Sequence, residues 1–421
     1  MRDATIDVDT FRVEARAWLD ANLERRAAGA DRRPPRGADP KTVEGIAEQR
    51  KIQRRLFEGG YAGISFPAEY GGRGLSFAHE RAFNEEARSF VMPDLGIAGG
   101  TTFGVCARTM LVHASPEFLG RHIPRILSGD ELWVQFFSEP EAGSDLAGIR
   151  TRATRDGDRW ILNGAKIWSS GAFYADYGMC LARTNWDVPK HRGLTWFAVP
   201  VAATGVTVQP IREINGDAEF CQEFFDDVEL TDDDVIGEVD QGWAVAQTML
   251  VLERGGGEKG LARDKGPRRL APDLVALARS LGREKDPVVR QLIARAHIDD
   301  FARTQLTART VARLKSEGMD AGIAAYPKLA SGIYDPIRAR LALEIGRGTA
   351  VVWDHDDVPA MTPSLNYLNS RIMSIAGGTN EMQRNGIGER ALGLPREPSF
   401  DSRKPFTEVL RDAQNWDGRV G

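Results

Sequence analysis

The sequence predicts an α+β chain laid out in three sections: helical, then β, then helical. Three observations carry this. Apolar residues fall at helical spacing up to about residue 130, the period drops to two between 132 and 230, and helical spacing resumes at Gly242-Trp243 and runs, interrupted, to about Arg390. The expected units are an N-terminal helical domain over 1–130, a middle antiparallel β domain over 131–238 and a C-terminal helix bundle over 239–395. A polar tail over 396–421 is expected to lie over a neighbour or to be mobile. With 421 residues, 42% of them hydrophobic, there is material for two or three such cores.

Taken in order, Phe11, Ala15, Trp18 and Leu19 share one face of a helix expected over 8–26. Residues 32–40 read as a Pro/Gly/Arg loop. A second helix opens with Val43, Ile46 and Ala47 and closes with Leu56 and Phe57 before Gly59-Gly60. The run 63–74 holds too many glycines for a good helix. More helix is expected over 78–90 and 101–113, and Ser115-Pro116-Glu117 starts another, with Ser as N-cap and Pro in the first turn. Strands are expected at 133–137, from 151 onward, and at 177–183, 194–199, 205–211 and 220–230. Asp156-Gly157 marks a hairpin turn and Asn163-Gly164 a second turn. The glycines from 255 to 257, with Gly266-Pro267, predict a loop.

Composition removes several functions. Net charge is −5 with the two signs interspersed and no basic patch, which argues against a nucleic-acid partner. The three cysteines are far apart without metal-ligand spacing, and an odd number cannot all pair internally, so a reducing compartment is expected. The six histidines are scattered, and no metal site is expected. No apolar run approaches the roughly 20 residues of a membrane span. The charged start, MRDATIDVDTF, lacks an apolar signal core, so a soluble cytoplasmic protein is expected. No G-x-G-x-x-G follows a strand, so a nicotinamide site is unsupported.

The informative stretch is 136–172. An apolar strand breaks at Pro140, turns through Ala142-Gly143-Ser144-Asp145, and leads by a hairpin to Lys166-Ile167-Trp168-Ser169-Ser170-Gly171. Small residues let backbone approach a ligand, N–H and O–H groups meet a polar edge, and an indole covers a flat face. A hairpin with ordinary turns and a core Trp is the competing reading of the same residues.

Two motifs here resemble the acyl-CoA dehydrogenase family, whose middle domain carries T/S-E-P-x-A-G-S-D and, later, K-x-W-x-T/S. They read Ser138-Glu139-Pro140-Glu141-Ala142-Gly143-Ser144-Asp145 and Lys166-Ile167-Trp168-Ser169-Ser170. The glycine-rich F-P-x-x-Y-G-G-x-G element at 66–74 is another landmark, and the resemblance extends over residues 8–396. It implies the family's fold and its reaction, in which FAD oxidises an acyl-CoA thioester to the trans-2-enoyl form. A carboxylate takes the α-proton while the β-hydrogen leaves as hydride to flavin N5. By the same resemblance Phe137, Ser138, Gly143, Ser144, Trp168 and Ser170 would hold the flavin. Gly378-Thr379-Asn380-Glu381 resembles a G-T-x-E/Q element, which adds Thr379 and Glu381. Ser144 and Arg254 would contact substrate.

Most family members carry the catalytic Glu just before that G-T, where this chain has Gly377. A minority, isovaleryl-CoA and long-chain acyl-CoA dehydrogenases among them, place the base on another helix before an Arg. Here that position reads Leu252-Glu253-Arg254, making Glu253 the candidate base; Val251 and Leu252 are expected to give it the apolar setting that raises a carboxyl pKa. Pairing with Arg254 or helix capping is the plain alternative. The Gly377 N–H would still polarise the thioester carbonyl, and the space left beside it would suit a branched or bulky acyl group. Two elements that hold a neighbour's FAD in the family's homotetramers are degraded, at 279–283 and 343–348. The resemblance therefore leaves a homotetramer or an α2β2 heterotetramer open. It also leaves open an acyl-CoA or acyl-carrier thioester. Electron-transfer flavoprotein is the implied acceptor. A non-catalytic structural subunit and a flavin oxidase or monooxygenase are the other readings.

Overall fold

Helix α1 (Val8–Asn22) begins where the Asp7 carboxylate accepts from the N–H groups of Asp9 and Thr10, and it buries Phe11, Ala15 and Leu19 on one stripe. These belong to a computed structural model that describes residues 6–27, 41–253, 271–317, 321–354, 357–399 and 401–415. Helix α2 (Val43–Glu58) is capped by Thr42 and ends against α1: a Cβ on Gly59 would lie 2.4 Å from the Trp18 ring. The glycine-rich run that follows folds as turns around a short 3-10 segment, Ala68–Tyr70. Helices α3 (Phe77–Glu86), α4 (Gly96–Thr101), α5 (Ala107–His113) and α6 (Pro116–Ser128) complete the unit. The Ser115 hydroxyl caps α6 with Pro116 in its first turn, as expected. Between α4 and α5 lies a π turn, Thr102–Cys106, which the periodicity did not signal. Its Thr102 hydroxyl accepts the Trp133 N–H at 2.8 Å, fastening the helices to the first strand.

The middle section is a sheet of β1 (Trp133–Phe136), β2 (Arg152–Asp156), β3 (Arg159–Ser170), β4 (Tyr177–Arg183), β5 (Leu194–Pro200), β6 (Val206–Pro210), β7 (Phe220–Thr231) and β8 (Val235–Ile236). Its order is β6-β7-β3-β2-β4-β5-β8, with β1 on β4. The pairing is mainly antiparallel, but β1 runs parallel to β4. Period-two alternation sorts the side chains. Met179 and Leu181 of β4 join the core shared with the helices, while Cys180 and Ala182 join a second core on the other face. The hairpin at Gly157 forms as predicted. Asn163-Gly164 does not turn the chain: β3 runs straight through it, and a register shift against β7 makes it a bulge. Asn163 and Asp227 trade hydrogen bonds there, which satisfies the polar pair without a turn.

Helix α7 (Gly242–Glu253) packs Val245, Ala246 and Met249 into the first core. Helices α8 (Pro272–Ser280), α9 (Pro287–Glu317), α10 (Ala321–Gly346), α11 (Val358–Asn369), α12 (Ile372–Ile375) and α13 (Asn380–Gly386) follow, with a smaller core around Leu274, Val289, Leu341 and Ile345. The loop expected at 255–267 lies outside the described residues. The tail departs from expectation. Residues 406–414 form α14 (Phe406–Gln414), seated on the chain's own middle section with Phe406 buried. No helix among the described residues is long and apolar enough to cross a membrane.

Candidate active site

Strand β3 is built to push one residue out. Ile167 pairs with Gln222 and Ser169 with Cys221, so Trp168 is the extra residue of a bulge. Its φ of +70° is one a bulky residue rarely adopts, and its indole is 55% exposed, edge-on to Phe220 with centroids 5.8 Å apart. Trp168 is therefore not a core tryptophan. The Ile167 N–H donates to the Ser138 carbonyl at 2.9 Å, bringing the two motif stretches side by side. Ser170 ends the strand half-buried. Gly143 and Ser144 lie exposed on the turn after Pro140, and a Cβ on Gly143 would meet no protein atom within 4 Å. Nothing in the protein itself demands glycine there. Phe137 turns its ring into the core against Trp196 and leaves only its backbone near the motif.

Beneath the bulge sits a buried set of charges. Lys166 is fully buried and donates to the Phe137 carbonyl and to Glu139 Oε1, both at 2.9 Å. Glu139 also accepts the N–H groups of Arg150 (2.6 Å) and Thr151 (2.9 Å), which ties down the strand-turn from below. Burial pushes its carboxyl up, but the Lys166 ammonium and those backbone donors outweigh it and hold it below the usual range. Across β7, Glu223 is fully buried and accepts from the Ser169 hydroxyl at 2.9 Å, while its other oxygen has no partner. Burial, only partly offset by Ser169 and Lys166, pushes it up to about 8. The sequence did not mark Glu223, because alternation along β7 gives no sign that one inward position is acidic.

Glu253 and Gly377 come together. A Cβ built on Gly377 would lie 3.7 Å from Glu253 Oε1 and 3.3 Å from Lys328 Cε. The carboxylate of one helix thus reaches the position from which a side chain at 377 would start. Gly377 has φ +65°, and Lys328, in α10, donates to the Met373 carbonyl at 2.6 Å. Lys328 was missed because 49 residues separate it from Gly377 and only helix packing joins them. It also takes up part of the space expected beside Gly377. The Cys106 thiol is pushed up by burial and further by the Glu253 charge. The apolar setting expected from Val251 and Leu252 is not there: Leu252 packs into the first core, and Glu253 itself is exposed.

The remaining candidates do other work within the chain. The Thr379 hydroxyl caps α13, accepting from Met382 N–H at 3.2 Å. Glu381 pairs with Arg384 at 3.3 Å on the helix surface. Arg254 lies outside the described residues. The two degraded segments meet each other, since Arg283 donates to the Ile345 carbonyl and pairs with Asp286 at 3.0 Å. Among the described residues no group of His, Cys, Asp and Glu could hold a metal. A surface cavity of about 580 Å³ between Ser115–Arg121 and Asp232–Val239 contains none of these residues.

Three family models cover this geometry: the N-terminal domain of acyl-CoA dehydrogenase matches residues 5–130, its middle domain 135–228 and its C-terminal domain 240–392. The chain belongs to the acyl-CoA dehydrogenase family. Acyl-CoA dehydrogenase IpdE1 of Mycobacterium tuberculosis is 37% identical over 397 residues, covering 93% of this chain and 99% of the relative. Among solved structures, the Tcur3481-Tcur3483 steroid ACAD aligns with a TM-score of 0.74 at 27% identity, over 93% of this chain and 98% of that one. The ChsE4-ChsE5 complex from Mycobacterium tuberculosis aligns at 0.69 and 25% identity, over 94% and 100%. Acyl-CoA dehydrogenase chains thus share the order of helices, sheet and helices seen here.

Proposed function

We propose that the chain is an FAD-dependent acyl-CoA dehydrogenase with Glu253 as its base. The observation that carries this reading is the Glu253 carboxylate lying 3.7 Å from the Cβ point of Gly377, so a carboxylate serves the place where most of the family has its own. The residues present fit a flavin. Trp168 offers an outward indole beside the Ser170 hydroxyl, and the open face of the Gly143-Ser144 turn leaves room for a polar edge. Trp168, Ser170, Ser138 and the backbone of Phe137 would hold the ring, with Ser144 toward substrate. Bound FAD would supply the hydride acceptor at N5. Glu253 takes the α-proton of the thioester, and the Gly377 N–H donates to the thioester oxygen as negative charge gathers there.

The acyl group is proposed to be bulky, since the similar solved structures include a steroid ACAD. Lys328 narrows the space at Gly377 itself, so the bulk would lie along the acyl chain beyond it. The assembly is proposed to be oligomeric, with a mixed one favoured because the similar structures pair two different chains, Tcur3481 with Tcur3483 and ChsE4 with ChsE5. The C-terminal bundle supports this: it exposes Val351, Val352, Ile375 and Leu392, apolar side chains that a neighbouring subunit would cover. A cytoplasmic setting is supported by three free, buried cysteines. The test is spectroscopic. Purified yellow protein should be bleached anaerobically by an acyl-CoA, faster with branched or polycyclic acyl groups than with butyryl. A colourless protein that fails to take up FAD would sink the proposal, and rapid oxygen consumption would favour an oxidase.

A further inference from the structure

Residues beyond 392 lie outside the matched family domain, yet they make specific contacts. Asp401 pairs with Lys190 Nζ at 2.5 Å, and the same nitrogen holds both oxygens of Asp145, at 2.9 and 3.0 Å. Asp145 closes the Gly143-Ser144 turn, and its carboxylate packs over Gly148, where a Cβ would lie 2.7 Å from it. Lys190 is 8% exposed, so losing either carboxylate would leave its charge out of water and less compensated. Five residues further along the tail, Phe406 N–H donates to the Val188 carbonyl (3.0 Å), and Thr407 N–H donates to that of Trp186 (3.1 Å). The Phe406 ring lies 3.9 Å from the buried Arg183 guanidinium, which in turn donates to the carbonyls of Ala147, Ile149 and Lys190. The next residue in that loop, His191, stands edge-on to Trp243 at the start of α7, with centroids 4.8 Å apart. One loop, 184–193, therefore touches the turn, the base-bearing helix and the tail.

We propose that residues 401–414 form a clasp that positions the Gly143–Asp145 turn and the first turn of α7 by holding the 184–193 loop. Asp401 and Phe406 are positioning residues. They touch neither substrate nor cofactor, and the functional meaning of the clasp rests on the flavin reading above. The experiment compares the full chain with Asp401→Asn, Phe406→Ala and a chain ending at Arg396, each as purified. The amides of Gly148 and Ile149, which bond back to Asp145 and Leu146, should exchange about threefold faster in Asp401→Asn and about tenfold faster in the shortened chain. Exchange in α1 should not change. Flavin should dissociate faster in the same order, and Asp401→Glu should restore both. If the shortened chain does not fold, the two single variants decide. Unchanged exchange at Gly148 and Ile149 overturns the clasp. Exchange needs no flavin, so faster exchange in a chain that never binds FAD supports the clasp and removes the flavin reading instead.

Discussion

The charges beneath β3 and the charge at the end of α7 sit in opposite environments. Lys166, Glu139 and Glu223 are enclosed, and the first two are paired with each other and with backbone. They cannot move without a large cost in desolvation. Glu253 is exposed, beside Gly377 and close to Lys328 from α10. The difference separates charges that hold a shape from the carboxylate on which the proposed chemistry rests. Strand β3 spends its polar groups fixing a strained Trp168; α7 spends its apolar ones on packing and leaves its last described carboxylate toward the site.

Substitutions on the two sides should break different things. Lys166→Met leaves Glu139 buried without its cation and should cost about 3–5 kcal/mol by denaturant unfolding. Adding Glu139→Gln should recover much of that loss; if Lys166→Met alone is neutral, the pair holds nothing. Glu223 comes next. Its pKa rises from 4.5 in the unfolded chain to about 8 in the fold, so its contribution is complete below 4.5 and is lost as pH climbs through about 8. Glu223→Gln stays neutral throughout and should melt several degrees above the parent at pH 9, with a smaller gain at pH 6. Equal melting curves at both values would mean the carboxyl is ionised and paired. Beside Glu253, Gly377→Ala must take a left-handed backbone and press on Lys328, costing about 1–2 kcal/mol in melting experiments. The smallest effect is expected of Glu381→Ala, which loses one exposed pair with Arg384 and should shift stability by less than about 0.5 kcal/mol. A marked fall in flavin affinity in that variant would show that Glu381 does more than pair with its own helix.

The sheet was the more legible half. Period-two alternation located its strands because each buries alternate residues in one of two cores, and the two motifs proved neighbours because β3 passes beside Ser138. Alternation also hid things. It read Asn163-Gly164 as a turn, since a bulge uses the same residues as a turn and only the partner strand distinguishes them. The π turn at Thr102–Cys106 was invisible because it shifts helical phase without changing composition. Glu253 and Gly377 were named through motifs, but Lys328 was not, because only the packing of segments distant in sequence brings it beside them. The tail misled for a similar reason: it is polar overall, and the single buried Phe406 that anchors it carries no local signal.

The central claim is tested most directly by Glu253→Gln in flavin-loaded protein, mixed anaerobically with an acyl-CoA that bleaches the parent. The amide keeps the shape of the side chain and removes its ability to accept a proton, so bleaching should slow about 10²- to 10⁴-fold while the flavin spectrum before mixing stays unchanged. Bleaching at the parental rate would contradict the account and place the base elsewhere.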